Sequence, residues 1–250
     1  MAKKKYFDLE KHIEEEHRGI GSVFSQIILG AQDGIVNTLG VLLGVLAASK
    51  DLKLTLVAGI AAAFAESISM AAVAYTSSRA EIDYYYAQLK KEEDEISKNP
   101  EEEIKEVYEI YYRKGFRGKL LERIVNHITR DKKTFLDFMM KEELELSEPE
   151  RHKALKDSFI VGLSALIGSF VPILPIYVIL LIFSQPFFTT FQIGLIATIF
   201  TALILFFVGA YKAHLSFRNK IKDGLELALI GIVAALSGFF IGYFVNIMLL

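Results

Sequence analysis

In 250 residues, 52% hydrophobic side chains and a mean hydropathy of +0.36 stand beside 23% charged residues, too apolar for an ordinary soluble domain. The charges gather outside the apolar runs, so the composition reads as a membrane protein with one polar domain, and a net charge of -2 leaves no basic field for nucleic acid. Cysteine is absent, which excludes disulfides, thiolate zinc sites and iron–sulfur ligation, so any metal must be held by carboxylate, imidazole, thioether or backbone oxygen.

Residues 1–21 are expected to form a cytoplasmic amphipathic segment, with Phe7, Ile13 and Ile20 set among charges. Lys3-Lys4-Lys5 resembles a signal-peptide start, but the acidic Glu14-Glu15-Glu16 follows where an apolar run belongs, so no cleavable signal is expected. Glu14-x-x-His17 has the spacing of a carboxylate-bridged iron motif; as a single copy on a polar segment it reads as a solvated face.

Five stretches reach the roughly 20 apolar residues that a membrane-crossing helix needs: Ser22–Ser49, Leu54–Tyr75, Phe159–Phe183, Phe191–Tyr211 and Leu225–Leu249. Lys and Arg concentrate in the N-terminus, the middle of the chain and the loop with Lys212, Arg218, Lys220 and Lys222. Five spans put these three segments on one side, expected to be the cytoplasmic one, with the C-terminus outside.

The first span is not a plain anchor. At 100° per residue, Gln26, Gly30, Asp33, Gly34, Asn37, Gly40 and Gly44 fall within an arc of about 120°. Gly30/Gly34 and Gly40/Gly44 are GxxxG pairs that let helix backbones approach closely. An Asp in mid-span costs about 2.5–3.5 kcal/mol, so Asp33 should face protein, water or an ion. The second span places Gly59, Ala62, Glu66, Met70, Val73 and Ser77 on one face, setting a second carboxylate one turn from a thioether. Two carboxylates in adjacent spans suggest a cation path.

Ala74 to Lys98 has no Gly or Pro, so a single helix is expected to run from the second span to the break at Asn99-Pro100. Further helices are expected over about Glu101–Lys114, Lys119–Thr129 and Lys132–Leu146, with a turn at Gly115–Gly118. Within this segment Glu92/Glu95 and Glu103/Glu106 are i, i+3 pairs that could chelate a divalent cation. From those pairs alone a solvated charged helix is the plainer reading. Met139-Met140 beside Glu142 and Glu143 favours a transition metal, since Ca²⁺ and Mg²⁺ prefer all-oxygen shells, although the two thioethers cannot share one face and at least one belongs to the core. Pro172 and Pro175 should kink or break the third span. No strand alternation, phosphate loop or nucleophile–His–acid arrangement is present, so the expected fold class is an all-α membrane protein, divided as 1–21, 22–76, 77–157 and 158–250.

Several ordered motifs are similar to those of the vacuolar iron transporter family: Asp33-Gly34, Ile68-Ser69-Met70, Ser78-Arg79-Ala80-Glu81, Leu136-Asp137-Phe138-Met139-Met140-Lys141-x-Glu143-Leu144, Pro172-x-x-Pro175 and Gly209-x-Tyr211-Lys212. They extend over about residues 20 to 250. The resemblance implies five spans, a cytoplasmic helical metal-binding domain between the second and third, and a homodimer built through the first span. It implies a secondary active antiporter, not an enzyme, that moves Fe²⁺ or another divalent transition metal out of the cytoplasm against protons, with no prosthetic group. Residue by residue, the family's metal-domain ligands fall on Glu92, Glu95, Glu103, Glu106, Met139, Met140 and Glu143. Its path residues fall on Asp33 and Met70, and we add Asn37 and Glu66 from the same polar faces. One position departs: Ala62 stands where the family has Glu, and Glu66, one turn on, is expected to replace it. A prokaryotic plasma membrane is the expected location. The rival readings are a membrane-bound carboxylate di-iron oxidase, which needs two converging Glu-x-x-His copies, and a metal sensor without transport.

Overall fold

The computed structural model describes residues 2–150, 152–182 and 188–249, with side chains from residue 21 to 248. The side chains of Phe7, Ile13, Glu14, His17 and Ile20, and the iron-motif reading made on two of them, lie outside the described residues. The helices in chain order are α1 (Ala2–Ser49), α2 (Leu52–Lys98), α3 (Pro100–Arg113), α4 (Gly118–Thr129), α5 (Lys132–Phe138), a π-helical turn (Met139–Glu143), α6 (Lys153–Ile182), α7 (Thr190–Leu215) and α8 (Lys220–Leu249). The described residues contain no strand. Two compact units result, one of residues 1–75 with 155–250 and the other of Thr76–Ala154.

In the first unit α1 is the central helix. Side chains built on Gly30 and Gly34 would strike Ser164, Ala165 and Ser169 of α6, and Gly238 and Gly242 of α8 press on the backbone of Gly40 and Gly44. Small residues thus replace side-chain volume with backbone contact, the device that holds helices together where lipid gives no hydrophobic drive. Both glycine pairs of the first span are therefore used inside the chain. The α2 helix joins through the Ser67 hydroxyl, which donates to the Gly162 carbonyl at 2.8 Å. A capping box at Thr189 and Gln192 starts α7. Leu39, Leu42, Leu43, Leu46, Ile173, Ile176, Ile193 and Ala197 form the core. Outward positions are apolar as well, Ile68 and Leu181 among them. With five helices long and apolar enough to cross a bilayer, this is a multi-pass membrane protein. Of the kink or break expected at the prolines, the structure shows no break: α6 runs through Pro172 and Pro175 as one helix; a membrane helix packed among neighbours tolerates the lost amide donors.

The second unit is built on Ile96 of α2, Val107, Leu121, Val125, Ile128, Phe135 and Met139. Tyr111 stacks on Phe138 with ring centroids 5.4 Å apart. Gly115 (φ 98°) and Gly118 (φ 56°) make the turn between α3 and α4 in a backbone region that disfavours side chains. Asp131 caps α5 by accepting from the Thr134 amide at 2.9 Å. The expected last helix, Lys132–Leu146, differs from the structure: α winding stops at Phe138, and the Leu144 amide donates to the Met139 carbonyl five residues back. That extra residue in the turn lets Met139 and Met140 both point inward, at 0% and 2% exposure.

Candidate metal centre and membrane carboxylates

Three helical segments of the second unit each deliver one carboxylate to the same point. Glu92 of α2, Glu103 of α3 and Glu143 of the π turn have carboxylate oxygens within 4.8 Å of one another, the only such group of acids or imidazoles among the described residues. Oxygens bound roughly 2.0–2.6 Å from one divalent ion lie at most about 4–5 Å apart, so the three can touch a single cation. Glu92 and Glu103 are buried and Glu143 is exposed, giving a site with a closed floor and an open mouth. Oε1 of Glu92 is buried with no hydrogen-bond partner. A buried acceptor left unpaired is costly unless a proton or cation completes it.

The electrostatics say the same. Burial, and then the Glu143 charge, push the Glu92 carboxyl up to about 8. Burial followed by the charge of Glu106 pushes Glu143 up to about 7. Glu103 is also raised, mainly by burial, while a hydrogen bond with Glu92 acts in the opposite sense. Three acids this close hold protons until a cation replaces them.

Not every expected ligand joins the trio. Glu95 is half-buried and pairs with Lys91 at 3.3 Å. Glu106 is exposed and hydrogen-bonds Glu143 at the mouth. Met139 is enclosed in the apolar core, and Met140 is buried but outside that core. Each i, i+3 pair is thus split, one acid going to the centre and one to the rim. A rule on the sequence separates them: Glu92, Glu103 and Glu143 each stand four residues from a buried apolar side chain, Ile96, Val107 and Met139 respectively. The π turn that aims Glu143 carries no comparable signal.

The first unit has its own acidic contact. Glu66 of α2 lies in hydrogen-bonding reach of the Asp33 carboxyl and the Asn37 carboxamide of α1. Asp33 and Glu66 are half-buried and Asn37 is exposed. Met70, one turn along α2, is half-buried, and so is Ala62. Glu66 therefore supplies a carboxylate beside Asp33 although position 62 has none.

The chain matches the model of the VIT family over residues 24–243. It is 30% identical over 228 residues to a vacuolar iron transporter 1 of Arabidopsis thaliana, covering 91% of this chain and 88% of the relative. A vacuolar iron transporter 1 of Tulipa gesneriana is 32% identical over 231 residues, covering 92% and 90% of the two chains. A vacuolar iron transporter of Plasmodium falciparum is 32% identical over 241 residues, covering 95% and 87%.

Proposed function

The chain belongs to the VIT family, and from that premise we propose that it carries Fe²⁺, or a similar divalent transition metal, out of the cytoplasm in exchange for protons. The observation that carries the reading is the trio of Glu92, Glu103 and Glu143 around one point with a buried oxygen unpaired. The names of the relatives support iron as the cargo. In this reading the trio captures the ion from the cytoplasm, with Met140 and the rim acids Glu95 and Glu106 assisting entry. Met139 packs the core beneath them. Asp33, Asn37, Glu66 and Met70 hand the ion through the membrane. Two carboxyl groups in contact in a poorly solvated place cannot both be charged without a cation, so metal and proton are alternatives there. That alternation is what an exchanger requires.

A second copy of the chain completes the path in this proposal. The glycine seams of α1 face α6 and α8, which leaves the stripe of Ser25, Leu29, Asn37 and Val41 exposed, with half-buried Asp33 in line with it. A dimer through that stripe would enclose the polar contact. The cation-rich N-terminus, the second unit and the α7–α8 loop support the cytoplasmic side for all three.

The test is uptake into proteoliposomes carrying a pH-sensitive dye, with Fe²⁺, Mn²⁺, Co²⁺, Ni²⁺ and Zn²⁺ in competition. Metal entry should drive opposite proton flux. Asp33→Asn should abolish both while metal binding at the trio persists. Normal flux in that variant refutes the path assignment, binding without uptake favours a sensor, and catalytic oxidation of Fe²⁺ favours an oxidase.

A further inference from the structure

We propose that the first unit holds an anionic glycerophospholipid in a wedge between α7 and α8, with its headgroup at Lys50 and its acyl chains between the helices. The wedge follows from where the glycines lie. At the α7–α8 turn the two backbones touch: a Cβ on Gly209 would lie 2.5 Å from the Asp223 carbonyl oxygen, and one on Gly224 would lie 2.9 Å from that of Phe206. Toward its C-terminus α8 is drawn to α1 instead, through Gly238 on Gly40, Gly242 on Gly44, and Asn246, which donates to the Ala48 carbonyl. So α8 touches the backbone of α7 beside the turn and that of α1 toward its own C-terminus.

The space between α7 and α8 is about 850 Å³, well inside the roughly 300–1,000 Å³ range of small-molecule sites. Its walls are almost wholly apolar, including Ile199, Ala202, Ala228 and Phe239, and it reaches Phe206 and Leu225 beside the tight contact. Lys50 and Thr190 line the other, wide end. A groove of this kind in a bilayer is filled by hydrocarbon or by another helix. A helix is about 10–12 Å thick along its whole length and needs parallel walls, whereas a space that narrows to backbone contact suits two flexible chains entering from the wide end.

The wide end also selects the headgroup. Lys50 is exposed, and its ammonium has no carboxylate partner among the described residues. Thr190 opens α7, where the Thr189 cap takes the Gln192 amide and leaves Thr190 and Phe191 at the positive end of the helix dipole. Lys53, also exposed, follows three residues on. A phosphodiester answers both kinds of group, and the neutralised lysine sits at the depth where lipid phosphates lie.

Full-length protein, stripped of lipid in detergent, would be offered phosphatidylglycerol and phosphatidylcholine with identical chains, and retained lipid counted by native mass spectrometry. Phosphatidylglycerol should be preferred about five-fold, the order expected of one cation near a lipid surface. Lys50→Gly suits the backbone there, at φ 57°; it should erase the preference while phosphatidylcholine retention stays. Ala202→Phe, filling the wedge, should remove both lipids from protein that melts as the wild type does. Glycerol phosphate, which has no chains, should not compete. Equal retention of the two lipids by wild type, a preference that survives Lys50→Gly, undiminished retention in Ala202→Phe, or displacement by glycerol phosphate each overturns the proposal. So do lipid-free dimers that Ala202→Phe dissociates, because a second copy would then fill the wedge.

Discussion

Replacing Glu92 by Gln keeps the shape of the most enclosed carboxylate in the trio and removes its charge. In the wild type, a cation must displace the protons held by Glu92, raised to about 8, and Glu143, raised to about 7. Between pH 6 and pH 8 the unprotonated fraction of a group near 8 rises roughly 50-fold, and that of a group near 7 roughly 10-fold. Both act in the same direction, as does Glu103, so apparent metal affinity tightens steeply over those two pH units. In Glu92→Gln its share is lost while those of Glu143 and Glu103 remain, so the same pH change should gain up to about 50-fold less than in wild type. Mn²⁺ is a suitable probe because it resists oxidation at these pH values. Calorimetric titration of full-length protein in detergent, repeated in buffers of different ionisation enthalpy, gives both the affinity and the protons released. Wild type should release more protons per ion than the variant at pH 7. Equal pH dependence in the two proteins would remove Glu92 from the site and refute the reasoning.

The same shifts fix the pH dependence of the metal-free fold. Groups whose folded pKa is raised stabilise the fold while protonated, so this contribution is full below the ordinary carboxylate range and fades as pH rises through about 7 to 8. The melting temperature of metal-free protein should therefore fall from pH 5 to pH 8.5, and saturating Mn²⁺ should cancel the fall; a rise would contradict the buried trio. Met139→Leu should cost under about 1.5 kcal/mol and leave Mn²⁺ affinity unchanged, whereas Met139→Ala should cost about 2–5 kcal/mol in chemical unfolding. A weakened affinity in the leucine variant would make that thioether a ligand. Gly34→Leu drives a side chain into the Ala165 backbone and should destabilise by about 1–3 kcal/mol or more, while Gly40→Ala, whose nearest neighbour is 3.5 Å away, should be nearly neutral in thermal melts.

The spans were legible because an apolar run of about 20 residues has few other uses. The turn at Gly115–Gly118 was equally plain, since the two glycines stand in a backbone region that other residues avoid. The glycine pairs of the first span announced close helix contact but not with whom, because a stripe of small residues is the same whether its partner is α6, α8 or another copy. In the metal centre the acids were identifiable and their grouping was not. Glu92 and Glu95 look alike as an i, i+3 pair, and only the packing of Ile96 turns one inward and leaves the other paired with Lys91. The prolines of α6 left kink and break both open for a related reason: their local cost is fixed, but neighbouring helices decide whether the helix breaks.

The π turn at Met139–Glu143 amounts to one residue more than regular winding needs. Deleting any one residue between Phe138 and Leu144 would let α5 continue as an ordinary helix. Residues after the deletion would keep their facing relative to α5, because the wider turn already absorbs the extra residue; what would be lost is the room for two adjacent thioethers, Met139 and Met140, to be buried together. In the proposed reading an ion that holds Glu143 beside Glu92 and Glu103 would also hold that extra residue in its turn, so the winding of one short segment would report occupancy.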